Sequence, residues 1–248
     1  MDIIEKVNKT RYTLKEILST EWNTETITDY SNQEIEKMYS LPSSKDSVLG
    51  IATGCNFSIP HKMIPSHKLH IIYYNFPEIG RLSSKINKSC CDKIYNLYKG
   101  DLFNKEDSVF IIINEKITES LEKSVDELNI NLQNELKESE LNKTIIDEMR
   151  KNNFPLEKKH FGNVHMFNIN GLTNNLLIHR LVPLHIPIRK MTDIKEILNK
   201  TNCTISQLPI ILKNDAIAKL IRLSPGDICE IKRNSIKCGE YSFYRVCK

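Results

Sequence analysis

Four side chains between residues 55 and 70 are of types that bind metal ions, namely Cys55, His61, His67 and His70. Thiolate and imidazole are ligands that Zn²⁺ prefers. His67 and His70 lie three residues apart and could share a helix face, but prolines at positions 60 and 65 favour a loop, and the spacing matches no zinc template. We therefore interpret the histidines as ordinary surface residues and predict neither a metal site nor a cofactor.

The rest of the chain shows no pattern typical of an active site. A Gly-rich phosphate loop, a nucleophile elbow and a Ser-His-Asp order are not recognisable in it. His185 stands close to Pro183 and could serve as a catalytic base. A turn fixed by the proline, with the imidazole bonded to the backbone or to a neighbouring subunit, explains it better. We predict that the chain is not an enzyme.

The seven cysteines are odd in number and include no CxxC pair, which indicates a reducing compartment rather than a disulfide framework or a zinc ribbon. Cys229, Cys238 and Cys247 are nine residues apart, a spacing that positions on strands and turns explain. We expect each thiol to act as a small hydrophobic side chain.

Charge is distributed unevenly along the chain. Residues 176–248 carry a net charge of +7 and residues 1–175 one of −3, within a total of +4. A basic C-terminal part is typical of binding to nucleic acid or to an acidic protein surface, and also of a solvated basic face. No apolar run approaches the roughly 18 residues that cross a bilayer, and the N-terminal residues do not form a signal peptide. We expect a soluble, unsecreted protein without membrane contact.

The first part of the chain predicts a mixed α/β domain. Apolar residues close to helical spacing predict a helix over residues 3–18, and Ser31 followed by Glu34 has the form of a capping box. Three apolar runs of strand length follow, with a helical stretch before the last. The runs are residues 48–53, 69–76 and 109–113, and the helical stretch is 89–98. The third run is apolar throughout, which predicts a strand covered on both faces.

Residues 117–151 predict an extended helical region. Apolar side chains recur every three or four positions from Leu121 to Leu136, with charged residues between them, which indicates two helical segments with a charged outer face. The register does not persist for the several heptads of a coiled coil. An amphipathic helix that lies on the sheet or projects from it is therefore the preferred interpretation.

Gly171 marks the predicted boundary between a first domain, residues 1–171, and a second, residues 172–248. We expect the second to contain a helix capped by Thr192 or Asp193, a helix capped by Asp215, a Ser-Pro-Gly-Asp turn and two strands. The predicted fold class is therefore α+β in two domains. A domain of roughly 70 residues lies near the lower limit for an independent core, so a partner is expected to complete it.

The last third of the chain contains an ordered set of residues that forms a recognisable pattern. It consists of Leu181, Val182, Pro183 and His185, then Leu208, Pro209, Ile211, Asp215 and Ala218, then Pro225, Gly226, Ile231, Arg233, Ser235, Gly239, Tyr241, Tyr244 and Arg245. In order and spacing it resembles the C-terminal assembly domain of the shared fifth subunit of eukaryotic RNA polymerases, a family that includes an archaeal counterpart. Further upstream, Phe76-Pro77-Glu78 and Gly80 resemble part of the N-terminal jaw domain of the eukaryotic members.

Several positions depart from the pattern of that family. Ala216 and Asn234 stand in place of prolines, Lys219 and Glu240 in place of arginines, Arg222 in place of a glycine and Cys238 in place of an alanine. Together with a composition rich in Asn, Ile and Lys, these departures indicate a divergent lineage, such as a large DNA virus that encodes its own polymerase.

The resemblance implies a non-catalytic subunit of a multisubunit DNA-dependent RNA polymerase, whose second domain docks on the largest subunit beside other subunits. The docking residues that it implies are Leu181, Val182, Pro183, His185, Asp215, Pro225, Gly226, Arg233, Ser235, Gly239, Tyr241, Tyr244 and Arg245. The first domain, an inactive nuclease-like sheet with helices, would form the lower jaw. Ile117, Thr118 and Ser120 would lie near downstream duplex DNA and contact it without reading sequence.

The resemblance also bears on location. Cellular members of the family act in the nucleus. A viral member would act in the host cytoplasm and be packaged in the virion.

Three alternatives remain open at this point. The first is a free-standing nuclease-like or nucleic-acid-binding protein. A nuclease of this type needs an Asp on one strand and Glu-x-Lys on the next to hold a catalytic metal. Asp46 precedes the first apolar run, but no later run contains Glu-x-Lys, and the adjacent Glu115 and Lys116 would point to opposite faces of a strand. A host-interaction adaptor would use the acidic helices of residues 118–151. The Arg and Tyr side chains of the last two strands suit a protein interface, yet they could contact phosphate instead.

Overall fold

The computed structural model describes residues 2–41, 49–81, 85–235, 237 and 239–248. The chain divides into two compact units, Met1–Asn142 with Phe161–Asn174 and Lys143–His160 with Asn175–Lys248. The second unit thus includes a segment, Lys143–His160, that lies upstream of the boundary predicted at residue 171. That boundary stays a prediction.

The first unit is built on a four-stranded sheet in the order β1, β2, β3, β4. The strands are β1 (Phe57–Pro60), β2 (Lys68–Tyr73), β3 (Ser108–Ile113) and β4 (Val164–Asn168). β1 pairs antiparallel with β2, and the other two pairs are parallel. β3 is buried at every position, which confirms the prediction from its uniformly apolar sequence.

The described residues of the first unit form four α-helices: α1 (Ile3–Leu18), α2 (Asn32–Tyr39), α3 (Ser89–Lys99) and α4 (Glu119–Glu138). α2 begins with the predicted capping box of Ser31 and Glu34. Ile94 of α3 and Leu128 of α4 share one buried cluster with Val109 of β3. α4 is therefore an amphipathic helix on the sheet, as its periodicity predicted.

One strand prediction was wrong. Within the run 48–53, residue 48 lies outside the described part, and the following residues form a 3-10 helix, Ile51–Cys55. The first strand of the sheet is β1 instead. The cause is tertiary, because a Cβ at Gly54 would clash with the carbonyl oxygen of Met38 in α2, so this segment packs closely against a helix.

The second unit has its own four-stranded sheet in the order β5, β7, β8, β6. The strands are β5 (Leu184–Ile188), β6 (Ile210–Ile211), β7 (Ile228–Ser235) and β8 (Gly239–Cys247). β7 and β8 form an antiparallel hairpin, which confirms the two predicted strands. β5 pairs antiparallel with β7, and β6 pairs parallel with β8. Two mixed sheets with helices make the fold α+β, as predicted.

The helices of the second unit are α5 (Lys143–Lys151), α6 (Met191–Thr201) and α7 (Ala216–Leu220). Asp215 caps α7 as predicted, since its carboxylate accepts from the backbone N–H of Ile217 at 2.9 Å. The predicted cap of α6 was wrong, because the helix already begins after Lys190, which makes no side-chain cap. Among the described helices of both units, none is long and apolar enough to span a membrane.

Candidate subunit-docking surface

On one face of the β7–β8 hairpin, the guanidinium groups of two arginines contact the ring of a phenylalanine. Arg233 pairs across the hairpin with Tyr241, and because side chains alternate along a strand, Tyr241, Phe243 and Arg245 share that face. The guanidinium carbons of Arg233 and Arg245 lie 5.5 and 5.3 Å from the centroid of the Phe243 ring, within cation–π distance. Arg245 also donates to the carbonyl oxygen of Ile210 at 3.0 Å. We call these four side chains the arginine face.

Tyr244 lies on the other side of the same sheet. It packs against a buried cluster of Leu208, Ile228 and Val246, together with residues of α6. The alternation of side chains along a strand predicts that Tyr244 and Tyr241 lie on opposite faces of the sheet, and the register confirms this prediction. The hydroxyl-bearing rings of the hairpin therefore do not form a single surface.

The segment that leads into β5, together with the first residue of that strand, exposes three large apolar side chains within seven residues. Ile178 and Leu181 are each 78% exposed and Leu184 is 55% exposed. Exposed apolar side chains close together mark interaction sites more often than single ones do. His185, on β5, turns its Nδ1 to the carbonyl oxygen of Pro183 at 2.7 Å, so its ring fixes the local turn.

The Pro-Gly turn borders an apolar cavity. Gly226 has a φ of 86°, which favours glycine, and its N–H donates to the carbonyl oxygen of Cys247 at 2.9 Å. The cavity has a volume of about 710 Å³, and its lining includes Leu198, Ile205 and Pro225. An apolar concavity of this size can receive bulky side chains of another polypeptide.

Asp227, directly after this turn, is almost fully buried and is surrounded by two cations and a histidine. Arg189 bonds its carboxylate, Lys159 Nζ lies 3.1 Å away and His160 Nδ1 lies 3.5 Å away. Burial acts to raise the pKa of Asp227, but the charges of Arg189, His160 and Lys159 outweigh it and hold that pKa below its ordinary value. Burial acts to lower the pKa of Lys159, and the carboxylates of Asp227 and Glu157 outweigh it in turn, so that pKa is raised. This ion cluster ties residues 157–160 to the Pro-Gly turn.

Two further backbone positions shape the second unit. Arg222 adopts a φ of 54°, a left-handed conformation that glycine favours, at the position where the fifth-subunit pattern has glycine. Gly239, with a φ of 70°, begins β8 opposite Ser235, the last residue of β7. Gly239 and Ser235 therefore form the last pair of the hairpin before the loop that joins its strands, and their docking role stays a prediction.

Comparison with known proteins places the strongest similarity in this unit. Residues 174–247 match the family model described as RNA polymerase Rpb5, C-terminal domain. The chain is 43% identical over 72 residues to DNA-directed RNA polymerase subunit Rpo5 of Pyrococcus horikoshii, which covers 29% of this chain and 87% of that relative. The chain belongs to the Rpb5 family of DNA-directed RNA polymerase subunits. This confirms the resemblance to the shared fifth subunit.

A eukaryotic relative of the Rpb5 family is similar over a comparable length. The chain is 40% identical over 81 residues to DNA-directed RNA polymerases I, II, and III subunit rpabc1 of Dictyostelium discoideum. That similarity spans 33% of this chain and 41% of the relative's length. The region shared with the Rpb5 family model carries the arginine face, the apolar cavity and the cap of α7.

In the first unit of this Rpb5 family member, the residues predicted to lie near DNA surround the start of α4. Thr118 is the N-cap and accepts from the backbone N–H of Leu121 at 3.4 Å, and Ser120 is exposed. Ile117 packs against the buried cluster under the helix. Glu119, in the first turn, suits the helix dipole but would repel a phosphate. DNA contact at this point stays a prediction.

The prediction that the histidines are surface residues was wrong for two of them. His61 is 7% and His67 3% exposed, and both rings contact the indole of Trp22 edge-on. His61 Nδ1 accepts from the backbone N–H of Ile64 at 3.1 Å. The prolines of this segment predicted a surface loop, but the imidazole rings of His61 and His67 are buried against Trp22. Among the described residues, no three His, Cys, Asp or Glu side chains are placed to hold a metal ion.

The residues considered for nuclease chemistry are not on strands of the described structure. Asp46 lies outside the described residues, and Glu115 and Lys116 follow the end of β3. The six described cysteines are free thiols. Burial raises the pKa of Cys55 to about 11 and that of Cys90 to about 12, so both remain protonated, apolar side chains at neutral pH.

Proposed function

We propose that this chain is a subunit of a multisubunit DNA-dependent RNA polymerase and contributes no residue to the chemistry of RNA synthesis. Its second unit docks on the largest subunit and contacts other subunits. Its first unit serves as the lower jaw and meets downstream duplex DNA through phosphates, without reading bases. If a cellular genome encodes the chain, it acts in the nucleus. If a cytoplasmic DNA virus encodes it, it acts in the host cytoplasm and enters the virion.

One observation supports this proposal above the others. The similarity to named polymerase subunits falls on residues 174–247, and it takes in 87% of the archaeal relative. What this chain shares with that relative therefore resides almost entirely in the second unit. An interface common to both must be built from the surfaces of that unit.

The chemistry of those surfaces indicates the kind of partner. No carboxylate within the described part of the chain lies within ion-pair distance of Arg233 or Arg245, and Tyr241 beside them is 41% exposed. Arginine and aromatic side chains together are typical of interface centres. An acidic, partly apolar segment of the largest subunit fits the arginine face.

Affinity capture of a tagged chain from its native source tests the proposal. We expect two very large polypeptides and promoter-independent RNA synthesis in the captured material, both lost when residues 181–248 are removed. A double change of Arg233 and Arg245 to Glu should reduce capture, whereas Lys200→Glu, on the exposed side of α6, should not. A chain that comes out alone and shows Mg²⁺-dependent DNA cleavage, abolished by changing Asp46, would replace the proposal with the free-standing nuclease.

A further inference from the structure

Three side chains of the first unit form a hydrogen-bonded chain from an exposed hydroxyl to a buried carboxylate. Ser58 Oγ lies 2.7 Å from Nδ1 of His70, and Nε2 of the same ring lies 3.1 Å from Oδ2 of Asp107. Ser58 is exposed, while the side chains of His70 and Asp107 are 12% and 2% exposed. Strand pairing brings them together, since Ser58 on β1 faces His70 on β2.

The buried carboxylate decides which nitrogen of His70 carries the proton. Asp107 already accepts from the backbone N–H groups of Lys68 at 2.9 Å and Asn104 at 3.1 Å, which fixes its orientation. A carboxylate accepts, so Nε2 donates to it and Nδ1 keeps its lone pair for the hydroxyl proton of Ser58. The Phe103 ring stacks on the imidazole at 4.1 Å between centroids and holds its plane. Nucleophile, base and orienting acid thus stand in the relation of a Ser-His-Asp triad, in an order that was not recognised in the sequence.

The strand register also directs a backbone donor toward the same place. β1 is an edge strand. The carbonyl oxygen of Pro60 accepts from Asn23 N at 2.9 Å, whereas His61 N donates to His67 O, so Pro60 faces away from β2. Every second residue of an antiparallel strand faces the same way, so the N–H of Ser58 also points away from β2, to the side of β1 on which Asn23 bonds Pro60. It can donate to the oxygen of a carbonyl group whose carbon approaches Ser58 Oγ.

We propose that Ser58, His70 and Asp107 form an acyl-transfer site for small, activated esters, separate from the role in RNA polymerase. Ser58 Oγ bonds to the acyl carbon as its proton passes to His70 Nδ1. The bond to the leaving oxygen breaks, and that oxygen takes the proton. Water then attacks the acyl-serine with His70 again as base, which releases the carboxylic acid and restores Ser58.

The substrate class follows from the surroundings of the triad. Apart from Asp107, no charged side chain in the described structure bonds to Ser58 or His70. Lys68, two residues before His70, lies on the same face of β2 and is exposed, so a cation is near the triad without bonding to it. The place of the triad on an exposed sheet edge provides little enclosure, so activated esters with good leaving groups are expected to react and unactivated esters are not.

A fluorophosphonate probe on the purified full-length chain tests the inference, because it reacts covalently with activated serines. We expect one label per chain, found by peptide mass spectrometry on Ser58, and none on Ser58→Ala. His70→Gln should slow labelling and p-nitrophenyl acetate hydrolysis at least about 100-fold, the scale of general-base catalysis. Ser89→Ala, at another exposed serine whose hydroxyl donates to the side chain of Asn87, should react like the wild type.

Asp107→Asn separates positioning from folding. Its amide can donate to Nε2, which moves the ring proton to Nδ1 and removes the base, a change visible in the ¹⁵N shifts of His70 in a folded chain. Labelling should fall with that tautomer change. A wild-type chain that takes no label, or equal labelling of wild type and Ser58→Ala, would overturn the inference even if the His70 and Asp107 variants failed to fold.

Discussion

Replacing Asp227 by asparagine removes the negative charge on which Arg189, Lys159 and His160 converge, without changing the side-chain volume much. Removing one partner of a buried ion pair costs about 3–5 kcal/mol, because the remaining charge is buried without compensation. Two of the cations keep other partners. Lys159 also pairs with Glu157 at 2.9 Å, and Arg189 still donates to backbone carbonyl oxygens at 3.0 and 3.1 Å. We therefore expect a cost near the lower end, about 3 kcal/mol.

The free energy of unfolding of the second unit is the quantity to measure. The two units need not unfold together, so urea titrations of the full chain should be followed by hydrogen exchange in peptides of β7 and β8. Glu240→Gln is a matched control, since Glu240 is exposed and lies 3.8 Å from Lys232. A surface pair of this kind contributes no more than about 1 kcal/mol.

The pH dependence gives a second check with a defined sign. The pKa of Asp227 is lowered in the folded state, so its stabilisation is complete above the unfolded pKa of about 3.9 and is lost as the pH falls through the folded value. The pKa of Lys159 is raised, so its contribution is complete below about 10.4 and is lost as the pH rises through its folded value. The stability difference between wild type and Asp227→Asn should narrow below about pH 4. A difference under about 1 kcal/mol at pH 7 would refute the reasoning.

Three other changes have expected outcomes. Gly226→Ala places a side chain on a residue with a left-handed φ of 86° and should lower the free energy of unfolding of the second unit by about 1–2 kcal/mol. Gly171→Ala, where an added Cβ meets nothing within 4 Å, should leave the free energy of unfolding unchanged in the same assay. Thr118→Ala removes the N-cap of α4 and should cost about 1 kcal/mol, seen as faster hydrogen exchange in its first turn; unchanged exchange would mean that the cap contributes nothing. Arg233→Ala, which leaves the bond of Arg245 to Ile210 intact, should lower polymerase recovery and reduce stability by no more than about 1 kcal/mol, and full recovery would exclude Arg233 from docking.

Local sequence was sufficient where neighbouring residues determine the structure. Ser31 and Glu34 are three residues apart, and the side chain of each accepts a hydrogen bond from the backbone N–H of the other. The capping box could therefore be predicted without knowledge of the fold. The uniformly apolar run of β3 is compatible only with burial on both faces. The alternation that separates Tyr241 from Tyr244 is likewise a property of any strand.

Prediction failed where a distant segment decides the structure. Residues 48–53 have the composition of a strand, but Ile51–Cys55 form a 3-10 helix because their backbone packs against α2. His61 and His67 lie in a proline-rich segment typical of surface loops, and only the contact with Trp22 shows that their rings turn inward. Composition indicates how much apolar surface a segment can bury, but it does not indicate which other segment of the chain packs against it.

The sequence by itself determined the α+β class, four of the eight described strands, most of the described helices and the Rpb5 family resemblance, because these depend on periodicity and on ordered short motifs. Tertiary structure alone decided the ion cluster of Asp227, whose bond to Arg189 spans 38 residues, and the chain from Ser58 to Asp107, whose links span 12 and 37 residues. Such groups meet only in one strand register, since a slip of one residue turns every side chain of a strand to the opposite face.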